Sequence, residues 1–91
     1  MLLLSPHLNS NIELIMIIAE PGGNSGKGLY SHKGEEIGLV LSGSIVIYLG
    51  DKQHVLHEGD SMYFTSETPH RWENPGTRQS ISVWAITPPS F

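Results

Sequence analysis

The stretch Tyr30 to Gly43, Tyr-Ser-His-Lys-Gly-Glu-Glu-Ile-Gly-Leu-Val-Leu-Ser-Gly, puts His32 and Glu36 four residues apart at the mouth of an apolar strand, Ile37 to Leu41. Strand alternation places Tyr30 and His32 on one face, and Glu36 shares their parity, with Gly34 able to bend the chain between them. A second stretch, Gly59 to Asn74, supplies a partner: it runs through Ser-Met-Tyr-Phe and then Pro69-His70 to Asn74. His70, Trp72 and Asn74 share one face of that stretch. If the two strands are neighbours, two imidazoles and a carboxylate converge on a point.

The rest of the chain reads as the frame that brings these two stretches together. Residues 1–11 form a lead-in rich in turn residues (Ser5-Pro6, Asn9-Ser10-Asn11), and residues 12–91 form one domain. Ile12 to Glu20 is β-branched and apolar on both parities, with only Glu13 as an early exception. It is expected to be a strand covered on both faces, by a partner subunit or as the centre of a sandwich. Pro21 to Gly28 is a loop. Its glycines and lysine do not form a phosphate-binding loop, because no Gly-Lys-Ser/Thr opens a helix there. Further strands are read at Ile37–Ser42, Ile45–Leu49, Lys52–His57, Ser61–Thr65, His70–Asn74 and Arg78–Ile86, separated by Gly, Pro and Asp turns. Thr87-Pro88-Pro89 cannot continue a ladder. No stretch combines helix caps with a 3.6-residue period. The fold class is therefore all-β, a small barrel or two-sheet jelly roll.

Ninety-one residues make one domain with a modest core, for which dimerisation is a natural supplement. The chain has no cysteine, which excludes disulfides and thiolate metal sites. A net charge of −4 with only five Lys and Arg, scattered along the chain, argues against a nucleic-acid surface. Met1-Leu-Leu-Leu is too short for a signal peptide, and the apolar run Leu14–Ala19 is far too short to span a bilayer. A cytoplasmic protein is expected.

Two histidines and one carboxylate with open positions suit Fe(II), Mn(II), Zn(II) or a similar ion. Imidazole offers a neutral lone pair and the carboxylate offsets part of the metal charge. His7, His54 and His57 are assigned to the surface. Trp72 can line a ligand site with His70, whereas Trp84 belongs to the core or cavity wall. Arg71 and Arg78 are read as solvated edge charges, Glu35 as facing outward, and Asp60 as a turn residue bonding its own backbone.

These stretches resemble the paired motifs of the cupin superfamily. His32, Glu36 and Gly43 match the second His, the Glu and the closing Gly of its first motif, and Gly59, His70 and Asn74 match its second motif in register. Tyr30 stands where the leading His would be, and Thr65 and Glu67 stand in place of a Pro and a Gly. The resemblance implies a double-stranded β-helix, with His32, Glu36 and His70 as three of four metal positions. It implies one divalent transition metal (Zn, Mn, Fe or Ni), or else a pocket whose polar groups take an organic anion or water. Tyr-Ser-His-Lys-Gly-Glu-Glu, Pro69-His70-Arg71, Asn74-Pro75-Gly76 and the ending Ile86 to Phe91 further resemble the C-terminal sensor domain of regulators that join an XRE-type helix-turn-helix to a cupin. That resemblance implies a non-catalytic, homodimeric domain that binds a small effector through Tyr30, His32, Glu36, His70 and Trp72 and does not itself bind nucleic acid or membrane. The alternative is a metal-dependent cupin enzyme, a dioxygenase or isomerase. The few spare acid-base groups near the motifs weigh against it.

Overall fold

The computed structural model describes residues 1–6 and 10–89. His7, read above as a surface residue, lies outside the described residues. The described chain is all-β. Its strands are β1 (Leu2–Leu3), β2 (Glu13–Ala19), β3 (Glu35–Ser42), β4 (Ser44–Leu49), β5 (Lys52–His57), β6 (Ser61–Thr65), β7 (His70–Glu73) and β8 (Ser80–Thr87). They form two antiparallel sheets, ordered β1-β2-β8-β3-β6 and β5-β4-β7. The described residues contain no helix long and apolar enough to cross a membrane.

Each sheet turns one face inward, as alternation requires. Ile15, Ile17 and Ala19 of β2, Val40 of β3, Ile45 and Ile47 of β4, and Phe64 of β6 meet Trp84 and Ile86 of β8 in one core. Tight turns fix the register. Asp60 accepts the backbone N–H of His57 through Oδ2 at 2.8 Å, as a turn aspartate does. The side-chain amide of Asn74 donates to the carbonyls of Ala19 (2.9 Å) and Arg78 (2.8 Å), tying the end of β2 to the connection before β8.

Two readings of the sequence change here. The lead-in is not only turns, because Leu2 and Leu3 pair with Met16 and Ile15 as a short edge strand. β2 is not covered on both faces by this chain. Its odd positions are buried while Leu14 and Ile18 on the even side are exposed. The reason is architectural: in a two-layer barrel every strand has one outer side, so no strand occupies a sandwich centre. The same holds for β8, where Ser80, Ser82, Trp84 and Ile86 point inward and Ile81, Val83 and Ala85 outward.

Gly38, in the middle of β3, shows why the inner face takes this form. A Cβ on Gly38 would fall 2.3 Å from Cε3 of Trp84, so the indole lies directly over the glycine. The indole N–H donates to Ser82 Oγ at 3.0 Å, which satisfies its buried polar group. Gly38→Ala must push the indole away. It is expected to cost about 1–3 kcal/mol by overpacking, read as a lower urea midpoint at unchanged m-value. An unshifted midpoint would contradict this packing.

Candidate functional site

Backbone pairing brings the two motif stretches together. Tyr30 N–H donates to the His70 carbonyl at 2.9 Å and His70 N–H donates back at 2.8 Å. One step further, His32 N–H donates to the Ser66 carbonyl (3.0 Å) and Ser66 N–H to the Gly34 carbonyl (2.9 Å). Gly34 has φ +108°, and a Cβ there would meet the Thr87 carbonyl at 2.0 Å, so this bend accepts only glycine. The segment 30–34 is thereby clamped between the β6–β7 connection and the end of β8, and Glu36 emerges from it on the inner face of β3.

His32, Glu36 and His70 converge, with one ligand atom from each lying within 4.8 Å of the others. Nε2 of His32 is 3.1 Å and Nε2 of His70 is 3.4 Å from the same oxygen, Oε2 of Glu36. The other nitrogen of each ring faces a backbone carbonyl: His70 Nδ1–H donates to Thr68 O at 2.7 Å and His32 Nδ1–H to Lys33 O at 3.1 Å. A carbonyl only accepts, so each Nδ1 carries a proton, and each ring turns its Nε2 toward the carboxylate. His70 Nε2 is fully buried and, among the described residues, makes no hydrogen bond. Ser66, itself buried, donates to Glu36 Oε2 at 2.8 Å and orients the acid. Positive charge holds these three groups together, either a proton on Nε2 or a metal ion among them. With the outward N–H groups held by carbonyls, this donor set fits a divalent ion. His32, Glu36 and His70 would hold that ion, which would supply a Lewis-acid centre with positions left for a ligand.

The triad lines a cavity of about 360 Å³ that is also lined by Tyr30 and Trp72, so all five residues named from the sequence face one hollow. The Tyr30 ring packs against His70 with centroids 4.4 Å apart. Burial of the ring and the Glu36 carboxylate raise its phenol pKa above the ordinary value, so near neutral pH Tyr30 is a hydroxyl, not a phenolate. The remaining walls are largely apolar, among them Ile15, Ile17, Ile47, Phe64 and Trp84.

The sequence reading passed over several of these residues. Ser66 carries no motif signal. Glu13, set aside as an exception on an apolar strand, is buried and lines the cavity. Its parity with Ile15 and Ile17 was the available clue. Arg71, read as a solvated edge charge, also lines the cavity. Its guanidinium stacks 3.9 Å from the centre of the Tyr48 ring and pairs with Glu73 at 3.5 Å.

Residues 7–86 match the family model described as Cupin domain. The chain belongs to the cupin domain family. As a cupin it is 31% identical, over 83 residues and 91% of its length, to the HTH-type transcriptional regulator PuuR of Escherichia coli K12. It spans only 44% of that relative's length. The cupin domain of an XRE family transcriptional regulator from Enterobacter cloacae superimposes with a TM-score of 0.82 at 21% identity, covering 97% of this chain and 94% of the other. A sugar phosphate isomerase from the cupin superfamily, from Silicibacter pomeroyi, gives 0.73 at 22% identity, covering 86% and 51%. These two solved structures share the fold.

The raised pKa of Tyr30 has a direct readout. In an ultraviolet difference titration of the wild-type cupin against Tyr30→Phe, the missing phenol is expected to ionise above pH 10. The sign follows from linkage. A folded pKa above the unfolded one adds stability that is complete below about pH 10 and is lost as pH rises through the folded value. Ionisation at or below the ordinary value would contradict the burial of the Tyr30 ring and its placement near the Glu36 carboxylate.

Proposed function

We propose that this cupin domain binds a small effector inside its barrel, as the sensing part of a bacterial transcriptional regulator or as a stand-alone relative of one, in the cytoplasm. The observation that carries this reading is the convergence of His32, Glu36 and His70 on the wall of a largely apolar cavity. A cavity of about 360 Å³ is at the small end of ligand sites and suits a metabolite. Such a ligand would place a polar group on the triad, directly or through a divalent ion, and its apolar part against Ile15, Ile17, Phe64, Trp72 and Trp84. The identity with PuuR over nearly the whole chain supports the regulator setting.

A second reading is a metal-dependent isomerase or dioxygenase, supported by the metal-type donor set itself. Tyr30, held as a neutral phenol, is a proton donor and not a base near neutral pH, so the acid-base groups beside the triad are few.

Thermal unfolding tests both. Zn(II), Mn(II) or Ni(II) at a free concentration about a hundredfold above its Kd is expected to stabilise the domain by about 2.7 kcal/mol, a rise of roughly 10–20 °C in Tm for a domain of this size. His70→Ala and Glu36→Gln are expected to abolish the rise. The loaded protein is then screened against amino acids and polyamines, with quenching of Trp72 and Trp84 fluorescence as readout. A binder recovered chemically unchanged supports the sensor, and turnover supports the enzyme. Equal metal stabilisation in the variants would remove the site.

A further inference from the structure

We propose that Glu13 is a specificity-determining residue of the cavity. It receives the cationic nitrogen of a small zwitterionic ligand, an ω-amino acid or a close analogue, whose anionic end is held at the triad. This inference rests on the reading of the cavity as an effector site and names the class of effector. Glu13 opens β2 and shares its inward parity with Ile15 and Ile17. Cross-strand register sets it in one row of inward side chains. Glu13 stands opposite Ile86 of β8, Ile86 opposite Glu36 of β3, and Glu36 opposite Phe64 of β6. All four line the cavity. The two acids are therefore two strand spacings apart, about 10 Å between their backbones, with Ile86 between them.

Glu13 is only 3% exposed. An aliphatic residue there would continue the apolar stripe of Ile15 and Ile17, and would pack at no cost in desolvation. What the acid adds is negative charge and acceptors on the cavity wall. Its two oxygens offer about four lone-pair positions, so a bond within the protein leaves others for a guest. Arg71 also lines the cavity, but its charge is matched elsewhere: its guanidinium stacks 3.9 Å from the centre of the Tyr48 ring and pairs with Glu73 at 3.5 Å. With a divalent ion at the triad, the charge around Glu36 becomes net positive. A guest lying along the row then meets positive charge, the hydrocarbon of Ile86, and the negative charge of Glu13 in turn. A carboxylate joined to an ammonium group by a short alkyl chain has that order of chemistry, and its charged hydrogen bonds are strong where water is excluded.

Isothermal titration calorimetry of the zinc-loaded 91-residue chain tests this with matched pairs. Each ω-amino acid from 3-aminopropanoate to 6-aminohexanoate is compared with the alkanoate of the same length that lacks the amine. At the best-fitting length the amino acid is expected to bind at least about tenfold tighter than its alkanoate. Glu13→Gln keeps the shape of the side chain and removes its charge, and Glu13→Leu continues the apolar stripe. With zinc loading verified by the rise in Tm, each variant is expected to reduce the preference below about twofold. Equal binding of amino acid and alkanoate by the wild type at every length overturns the assignment and leaves the effector reading standing. A tenfold preference that survives both substitutions also overturns it. Uptake of neither compound at any length overturns the assignment as well, whereas the reading beneath it falls only with the metal and ligand tests given above.

Discussion

Two imidazole Nε2 atoms and a carboxylate oxygen are brought together on the inner face of this barrel, and hydrogen bonds hold each of the three side chains in place. Glu36 is fixed by its place in β3 and by Ser66. His70 is fixed at the start of β7 by a reciprocal backbone pair with Tyr30 and by the Thr68 carbonyl. His32 is held by backbone hydrogen bonding to Ser66. In a low-dielectric pocket such groups are held together by positive charge, either a proton on Nε2 or an ion among them. The three ligand atoms lie close enough for one ion to reach all of them. The site joins two stretches that are distant in the chain.

β3 serves both sides of the sheet. Glu36 and Gly38 point inward, the first to the triad and the second beneath the Trp84 indole, while Ile37 and Leu39 point outward. One strand therefore carries an acid of the site and two exposed apolar side chains on alternate residues.

The sequence was most informative where spacing is short and chemistry is specific. His32 and Glu36 share a parity, and His70 stands at a fixed offset from Gly59, so the triad could be read once the two stretches were set face to face. Turn residues marked the strands of both sheets to within a few residues. What stayed hidden depends on contacts between elements. Glu13 looked like a flaw in an apolar strand because its burial arises only when β2 lies beside β8. Ser66 lacks any local signal, since its role is set by the approach of Glu36 across the sheet. Leu2 and Leu3 are too short a run to declare a strand without the edge of β2 to receive them. Alternation in β2 was masked because both of its faces are apolar, one for the core and one for the outer surface.

The account rests on which nitrogen of each imidazole bears the proton. Long-range ¹H–¹⁵N correlation spectra of the His-labelled protein, at a pH where the rings are neutral and before and after addition of zinc, measure this directly. The account predicts that His32 and His70 are both protonated at Nδ1, and that their Nε2 signals alone shift strongly when zinc is added. Protonation at Nε2 in these rings, or Nε2 signals that zinc leaves in place, would contradict it.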